Sequence, residues 1–304
     1  MPDFETIRDA KADLVLAHLH FAILFDHIDE PAVATLEDAT SGELDIPATA
    51  ESAGIIEKQA GVSLTHDIES NDVEGYGEAE PVRTIISKRT VEFQANFLET
   101  NKTVLEKFWG TVFDDTNLDV SEHGGVTIKA PTLPKNTFYR AYLVATDDVD
   151  GDDIYAYYIM PRVKLVNVDN QESQDDNATS YQMTFRAFRD KVMGFAVLQG
   201  WCGPGWRKLV HKTGFVAAPA SIDATPATIS VEEGDDQQIT VTGSNGVNYT
   251  PEAKFVSSAP EKATVSASGL VTGVAAGAAT ITVTVTGIAD APLTDTVSVT
   301  VTAP

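Results

Sequence analysis

The sequence predicts a mainly β protein: a β-sandwich or barrel with one short helix, followed by a second, smaller β-sandwich. Three observations predict it. Apolar and polar residues alternate with period two along several runs, which gives a strand one buried and one wet face. Val and Thr dominate many of these runs, and Gly and Pro punctuate them. The composition also changes near residue 217, from a part rich in aromatic and charged residues to one of Ala, Thr, Val, Ser and Gly. The 304 residues exceed the usual size of one core, and an apolar content of 43% is enough to bury two. Ala217-Ala218-Pro219-Ala220 reads as a linker, so the expected division is 1–216, a linker at 217–220, and 221–304.

The first 60 residues are the least periodic. Leu14 to Phe25 reads either as a strand, with Val15, Ala17, Leu19, Phe21, Ile23 and Phe25 on one face, or as a short buried helix. Residues 29–57 read as a long polar loop, expected to be unordered in a free subunit and ordered by a partner. From Gly61 the alternation sharpens. Val62, Leu64, His66 and Ile68 share one face of a strand, and Val91, Phe93, Ala95 and Phe97 one face of another, joined through Gly75 to Val82. The opposite faces carry Asp67, Glu69, Glu92 and Gln94, and so read as acidic. Thr100 to Trp109 reads as a helix with Val104, Leu105, Phe108 and Trp109 as its apolar stripe and Gly110 as C-cap. Further strands are expected at Tyr139 to Thr146, Ile154 to Met160, Arg162 to Val168 and Ser180 to Phe188. In the C-terminal part, Gln238 to Thr242, Ala279 to Thr286 and Thr296 to Thr302 alternate, with Ile281, Val283, Val285, Val297, Val299 and Val301 inward.

The net charge is −24, from 45 acidic and 21 basic residues, so the free chain is expected to repel nucleic acid. From Ser221 onward nine acidic residues stand against two basic ones, which leaves most of the excess in the N-terminal part. The single cysteine, Cys202, excludes an intrachain disulfide and reads as a small buried hydrophobe. No leader segment is recognisable, and Leu14 to Phe25 is too short to span a bilayer, so a protein made in a cytoplasm is expected.

No catalytic constellation emerges, and the chain is expected not to be an enzyme, with no cofactor and no metal site. The six histidines form no HExxH-type pair, and His18 with His20 supply two ligands at most. No P-loop or GxGxxG is present. Asp147 to Asp153 lacks the glycine and glutamate positions of an EF-hand and reads as a hairpin turn with Asp150-Gly151 at its tip. Trp201-Cys202-Gly203-Pro204-Gly205-Trp206 reads as a turn whose aromatics pack at an edge or a subunit contact.

Two resemblances add to this reading. Lys254-Phe255-Val256-Ser257-Ser258, Ala263-Thr264-Val265-Ser266 and the run from Gly269 to Ile281 resemble the group 2 bacterial immunoglobulin-like domain, with Phe255 where that family often has Trp. Gly61-Val62-Ser63-Leu64, Asp72-Val73-Glu74-Gly75-Tyr76-Gly77, Val82-Arg83-Thr84, Leu98-Glu99-Thr100-Asn101, Trp109-Gly110 and Tyr181 to Phe188 together resemble the major tail tube protein of siphophages. That resemblance implies a virion protein assembled in the host cytoplasm. Its subunits form stacked rings, usually of six, whose strands join into one inner barrel through which DNA passes. The implied partners are further copies of the chain and the tape measure, tail terminator and tail tip proteins. The immunoglobulin-like domain would decorate the outside. Asp67, Glu69, Glu92 and Gln94 are then the candidates for the lumen, against the alternative that these faces meet outside solvent. The competing function is an adhesin that binds host surface glycans through the immunoglobulin-like domain.

Overall fold

A computed structural model describes residues 3–303 except 5–7, 9, 134–136, 150, 172–177 and 290. The N-terminal part contains β1 (His20–His27), β2 (Glu51–Ser52), β3 (Val62–Glu74), β4 (Pro81–Phe97), α1 (Lys102–Trp109), β5 (Leu118–Val120), β6 (Val126–Ile128), β7 (Tyr139–Val149), β8 (Asp152–Val168), β9 (Tyr181–Ala187), β10 (Leu198–Cys202) and α2 (Pro204–Leu209). Its main sheet is antiparallel and runs β2-β1-β7-β8-β9-β4-β3, with β10 also on β8. Residues 53–57 bridge the far sides of this curled sheet. Ala53 N–H donates to the Ile23 carbonyl at 2.9 Å, and Glu57 N–H to the Asn96 carbonyl at 2.9 Å. The sheet is thereby closed towards a barrel around Phe25, Phe93, Phe97, Met160, Met183 and Phe185, all 2% exposed or less. Phe93 and Phe185, paired across β4 and β9, stack at 5.0 Å between ring centroids.

The two strands expected around residues 154–168 are one strand, β8. Pro161 cannot donate to a ladder, and the pairing with β7 is irregular beside it, between Tyr139 and Ala141. Arg140 Nη1 donates to the Pro161 carbonyl at 2.8 Å, so the irregularity is closed by a side chain. At the other end of β7 and β8, Val149 pairs with Asp152, and Gly151 turns with φ 83°, as the hairpin reading requires. Asp150 lies outside the described residues. The expected helix is α1. Asn101 Oδ1 accepts Val104 N–H at 2.8 Å as N-cap, and Gly110 ends the helix at φ 61°. Its stripe differs from expectation, because Trp109 is 41% exposed while Lys107 is 5% exposed, with its Nζ 4.6 Å from the Tyr139 ring.

Two expectations for the first 60 residues are corrected. Leu14 to Phe25 is a strand only from His20, and Val15 and Leu19 are exposed because the ladder with β7 begins at His20–Thr146. Residues 29–57 are packed on the chain's own sheet rather than awaiting a partner. Val33, Leu36, Leu44, Ile46 and Ala50 cover the outer face of β7 and β8 over Tyr142, Val144, Tyr157 and Ile159. Thr49 donates to the buried Asp26 carboxylate at 2.7 Å, and Arg140 donates to the carbonyls of Ile28 and Glu30. Those apolar residues are spaced without period, which is why the loop reads as polar in sequence.

The C-terminal part contains β11 (Ile222–Thr225), β12 (Thr228–Glu232), β13 (Asp236–Gln238), β14 (Thr240–Gly243), β15 (Lys254–Ser257), β16 (Ala263–Val265), β17 (Leu270–Gly273), β18 (Gly277–Val285) and β19 (Leu293–Thr302). They form sheets β12-β19-β18-β15, β13-β17-β16 and β11-β14 around their own core. Ile281, Val283, Val285, Val297, Val299 and Val301 all point into that core, as the alternation requires. The run expected at Gln238 to Thr242 is divided, with the wholly buried Ile239 between β13 and β14.

Candidate assembly surface

β3 and β4 pair from Val62–Ala95 to Glu74–Pro81, whereas β9 meets β4 only from Val91 to Phe97. Beyond Val91 the two strands therefore leave the sheet as a two-stranded ribbon. A register shift between Glu69 and Ser70 leaves Ser87 unpaired opposite β3. The cross-strand pairs sort the ribbon into two faces. The face that carries Val62, Leu64, Val91 and Phe93 into the core continues outward as His66, Ile68, Arg89, Ser70, Ile86, Asp72 and Thr84. Ile68 is 57% exposed and Ile86 67% exposed on this face, two apolar side chains standing uncovered among polar neighbours. The other face carries Asp67, Thr90, Glu69, Lys88, Asn71, Ile85, Val73 and Arg83.

The ribbon also has two free backbone edges among the described residues. β3 is the last strand of the sheet, and β4 has no second partner before Val91. The edges differ in charge. β3 brings Asp67, Glu69, Asp72 and Glu74 and neither Lys nor Arg, whereas Pro81 to Thr90 brings Arg83, Lys88 and Arg89 and no carboxylate. A long, unprotected strand edge is a ready template for another strand.

All four lumen candidates lie on the polar side of this region. Asp67 stands opposite Thr90, Glu69 opposite Lys88, Glu92 between Thr65 and Arg186, and Gln94 between Ser63 and Thr184. They share one face, but that face is not acidic as expected. Lys88 Nζ lies 2.5 Å from Glu69, Arg186 Nε lies 2.6 Å from Glu92, and Lys164 stands opposite Arg186 on β8. The compensating cations sit on neighbouring strands and on the β4 segment outside the alternating run, where the pattern of one strand does not reveal them. Gln94 donates to Asp169 at 3.2 Å.

The other candidate chemistries find no support in the geometry. His18 and His20 line an open cleft of about 550 Å³ with Phe21, Ser52 and residues 54–58, and no cluster of three metal-ligating residues occurs among the described residues. Burial pushes the Cys202 thiol up to about 12, so the group is a protonated hydrophobe 1% exposed. Trp201 and Trp206 are not in one turn. Trp201 lies in β10 and Trp206 in α2, and the rings stack at 5.3 Å. No helix among the described residues is long and apolar enough to cross a membrane.

Comparison with known proteins bears on the C-terminal part. Residues 218–294 match the bacterial Ig-like domain (group 2). The C-terminal sandwich is a bacterial immunoglobulin-like domain. Phe255, where the family often has Trp, is half-buried beside its core. No curated protein matches the chain. Among solved structures, one likeness is to a chain described as the anti-feeding prophage (AFP) baseplate, 6-fold symmetrised, with 10% identity, 60% of this chain and 91% of that chain covered, and a TM-score of 0.30. Another is to the protocadherin GammaB4 extracellular domain, with 8% identity, 86% and 63% covered, and a TM-score of 0.20. At these scores neither likeness bears on what the chain does.

Proposed function

We propose that the chain is a self-assembling structural protein of a bacteriophage tail, which forms the tail tube from stacked rings and carries its immunoglobulin-like domain outside. The observation that carries this reading is the ribbon of β3 and β4. It offers two free edges, one bearing Asp67, Asp72 and Glu74 and the other Arg83 and Arg89, and a face on which Ile68 and Ile86 stand exposed. A basic edge on one copy suits the acidic edge of the next. Such a contact is head-to-tail, and it propagates into a ring when the rotation closes. Closure removes both edges at once. The resemblance of residues 53–110 and 181–188 to siphophage tail tube proteins supplies the biological setting, with six copies per ring and DNA in the lumen.

In this reading the polar face with Asp67, Glu69, Glu92 and Gln94 lines the channel. Two of its cations are held by its own carboxylates, Lys88 by Glu69 and Arg186 by Glu92, so this hydrophilic wall offers DNA phosphates little to hold. Sedimentation of the purified chain over a range of concentrations tests the reading. At moderate salt, which screens the −24 net charge, defined multimers are expected above a threshold concentration. A chain that stays monomeric at every concentration, and that instead binds host glycans through its C-terminal domain, would turn the account to the adhesin.

A further inference from the structure

Residues 217–220 read as a linker, and beside them the two parts of the chain are tied together. Arg207, on α2, reaches across to that domain. Its Nε donates to Glu252 Oε1 at 2.5 Å, Nη1 to the Gly42 carbonyl at 2.9 Å, and Nη2 to Glu43 Oε1 at 3.2 Å. The side chains of Arg207 and Glu252 are 8% and 6% exposed, so the pair is shielded from water and from salt. Three elements meet at one guanidinium: the helix after β10, the loop of residues 37–44 and the turn Thr250–Glu252 of the immunoglobulin-like sandwich. Gly42 is shaped to the contact. It has φ 68°, and a Cβ there would stand 2.5 Å from Arg207 Nη1. The linker itself is fastened to the immunoglobulin-like domain, since Asn245 donates to the Ala217 carbonyl at 3.0 Å and Ala220 N–H to Ser244 Oγ at 2.8 Å.

We propose that Arg207 is a latch that holds the immunoglobulin-like domain in one fixed orientation on the N-terminal domain. The latch is geometric. A planar guanidinium with donors in a fixed fork meets two carboxylates and a carbonyl at once, an arrangement a lysine ammonium cannot reproduce. The domain is therefore presented at a set angle by every copy, and its surface facing residues 37–44 is withdrawn from other partners. The proposal concerns the single chain and stands whether or not copies assemble.

Limited chymotrypsin digestion of the full chain tests it, because Phe215 is 69% exposed immediately before the linker. The Phe215 ring lies 6.2 Å from that of Trp201 on β10, so seating the chain in a protease requires this segment to leave the N-terminal domain, and the cleavage rate rises with the undocked population. Arg207→Met leaves Glu252 buried without its cation and is expected to speed cleavage about a hundred-fold or more. Gly42→Ala, which pushes the guanidinium away, and Arg207→Lys are expected to speed it by smaller factors. Hydrogen exchange of β9 and of β18 is expected to stay as protected as in the parent chain, which separates undocking from unfolding. Small-angle scattering of the parent chain, diluted until monomeric, needs no variant and is expected to fit one fixed arrangement of the two domains. Folded variants cleaved within about two-fold of the parent rate, or parent scattering that requires a swinging domain, would overturn the latch.

Discussion

Replacing Ile68 and Ile86 by Thr tests the ribbon as a contact between copies. Both residues lie on the continuation of the core face, and they are 57% and 67% exposed in the single chain. Thr keeps the β-branch and so the strand preference. Each change removes about two carbons of apolar side chain, worth about 1.6 kcal/mol if fully buried at about 0.8 kcal/mol per methylene. Scaled by the exposed fraction, burial against a neighbour contributes about 1 kcal/mol per site, and a hydroxyl left without a partner adds to the loss. The pair therefore weakens each contact by about 2 kcal/mol, a factor of about thirty in its equilibrium constant. The single chain should not notice, since surface substitutions away from special features stay within about 0.5 kcal/mol. The assay is light scattering against concentration, with a urea midpoint for the monomer. The account predicts an assembly threshold about thirty-fold higher at an unchanged midpoint. An unchanged threshold would refute the reasoning, because the exposed Ile68 and Ile86 would then have no partner.

Three further outcomes follow from the same geometry. Glu69→Gln together with Glu92→Gln leaves Lys88 and Arg186 without their carboxylates, so DNA passage through assembled tubes is expected to slow while assembly is unchanged; lost assembly would show that these residues are misplaced. Cys202 is expected to resist thiol reagents at pH 8 in the folded chain and to react fully in urea, since its pKa is pushed up to about 12 by burial; rapid labelling of the native protein would contradict this. Burial lowers the pKa of Lys107 from 10.5, the nearby Glu106 and Glu51 opposing it, so the folded chain sheds that proton before the unfolded chain does. Its contribution to stability therefore rises as pH climbs from the folded value towards 10.5, and Lys107→Met should flatten that rise in urea midpoints; parallel curves for parent and variant would refute the assignment.

The parts of this fold that were legible in sequence are those with local rules. The strands β4, β9, β18 and β19 announce themselves by alternation, and α1 by its apolar stripe and by Gly110 at its end. The loop of residues 29–57 was not legible as a packed element, because Leu36, Leu44 and Ile46 follow no period and meet their partners on β7 and β8 about a hundred positions away or more. The same distance hid the site. Glu92 reads as part of an acidic face until Arg186 is brought beside it by the pairing of β4 with β9. The bare ribbon was partly visible, since both strands are alternating, but only the short reach of β9 reveals that Ile68 and Ile86 have no cover. Arg207 and Glu252 stand 45 positions apart on either side of the linker and carry no pattern at all.

The most direct test of the central claim is negative-stain electron microscopy of the purified chain, concentrated at moderate salt. The account predicts rings or tubes with a central hole and outward bumps at one angle, the bumps being the immunoglobulin-like domains. Particles dispersed as single chains at concentrations well above the sedimentation threshold, or irregular aggregates without a hole, would contradict it.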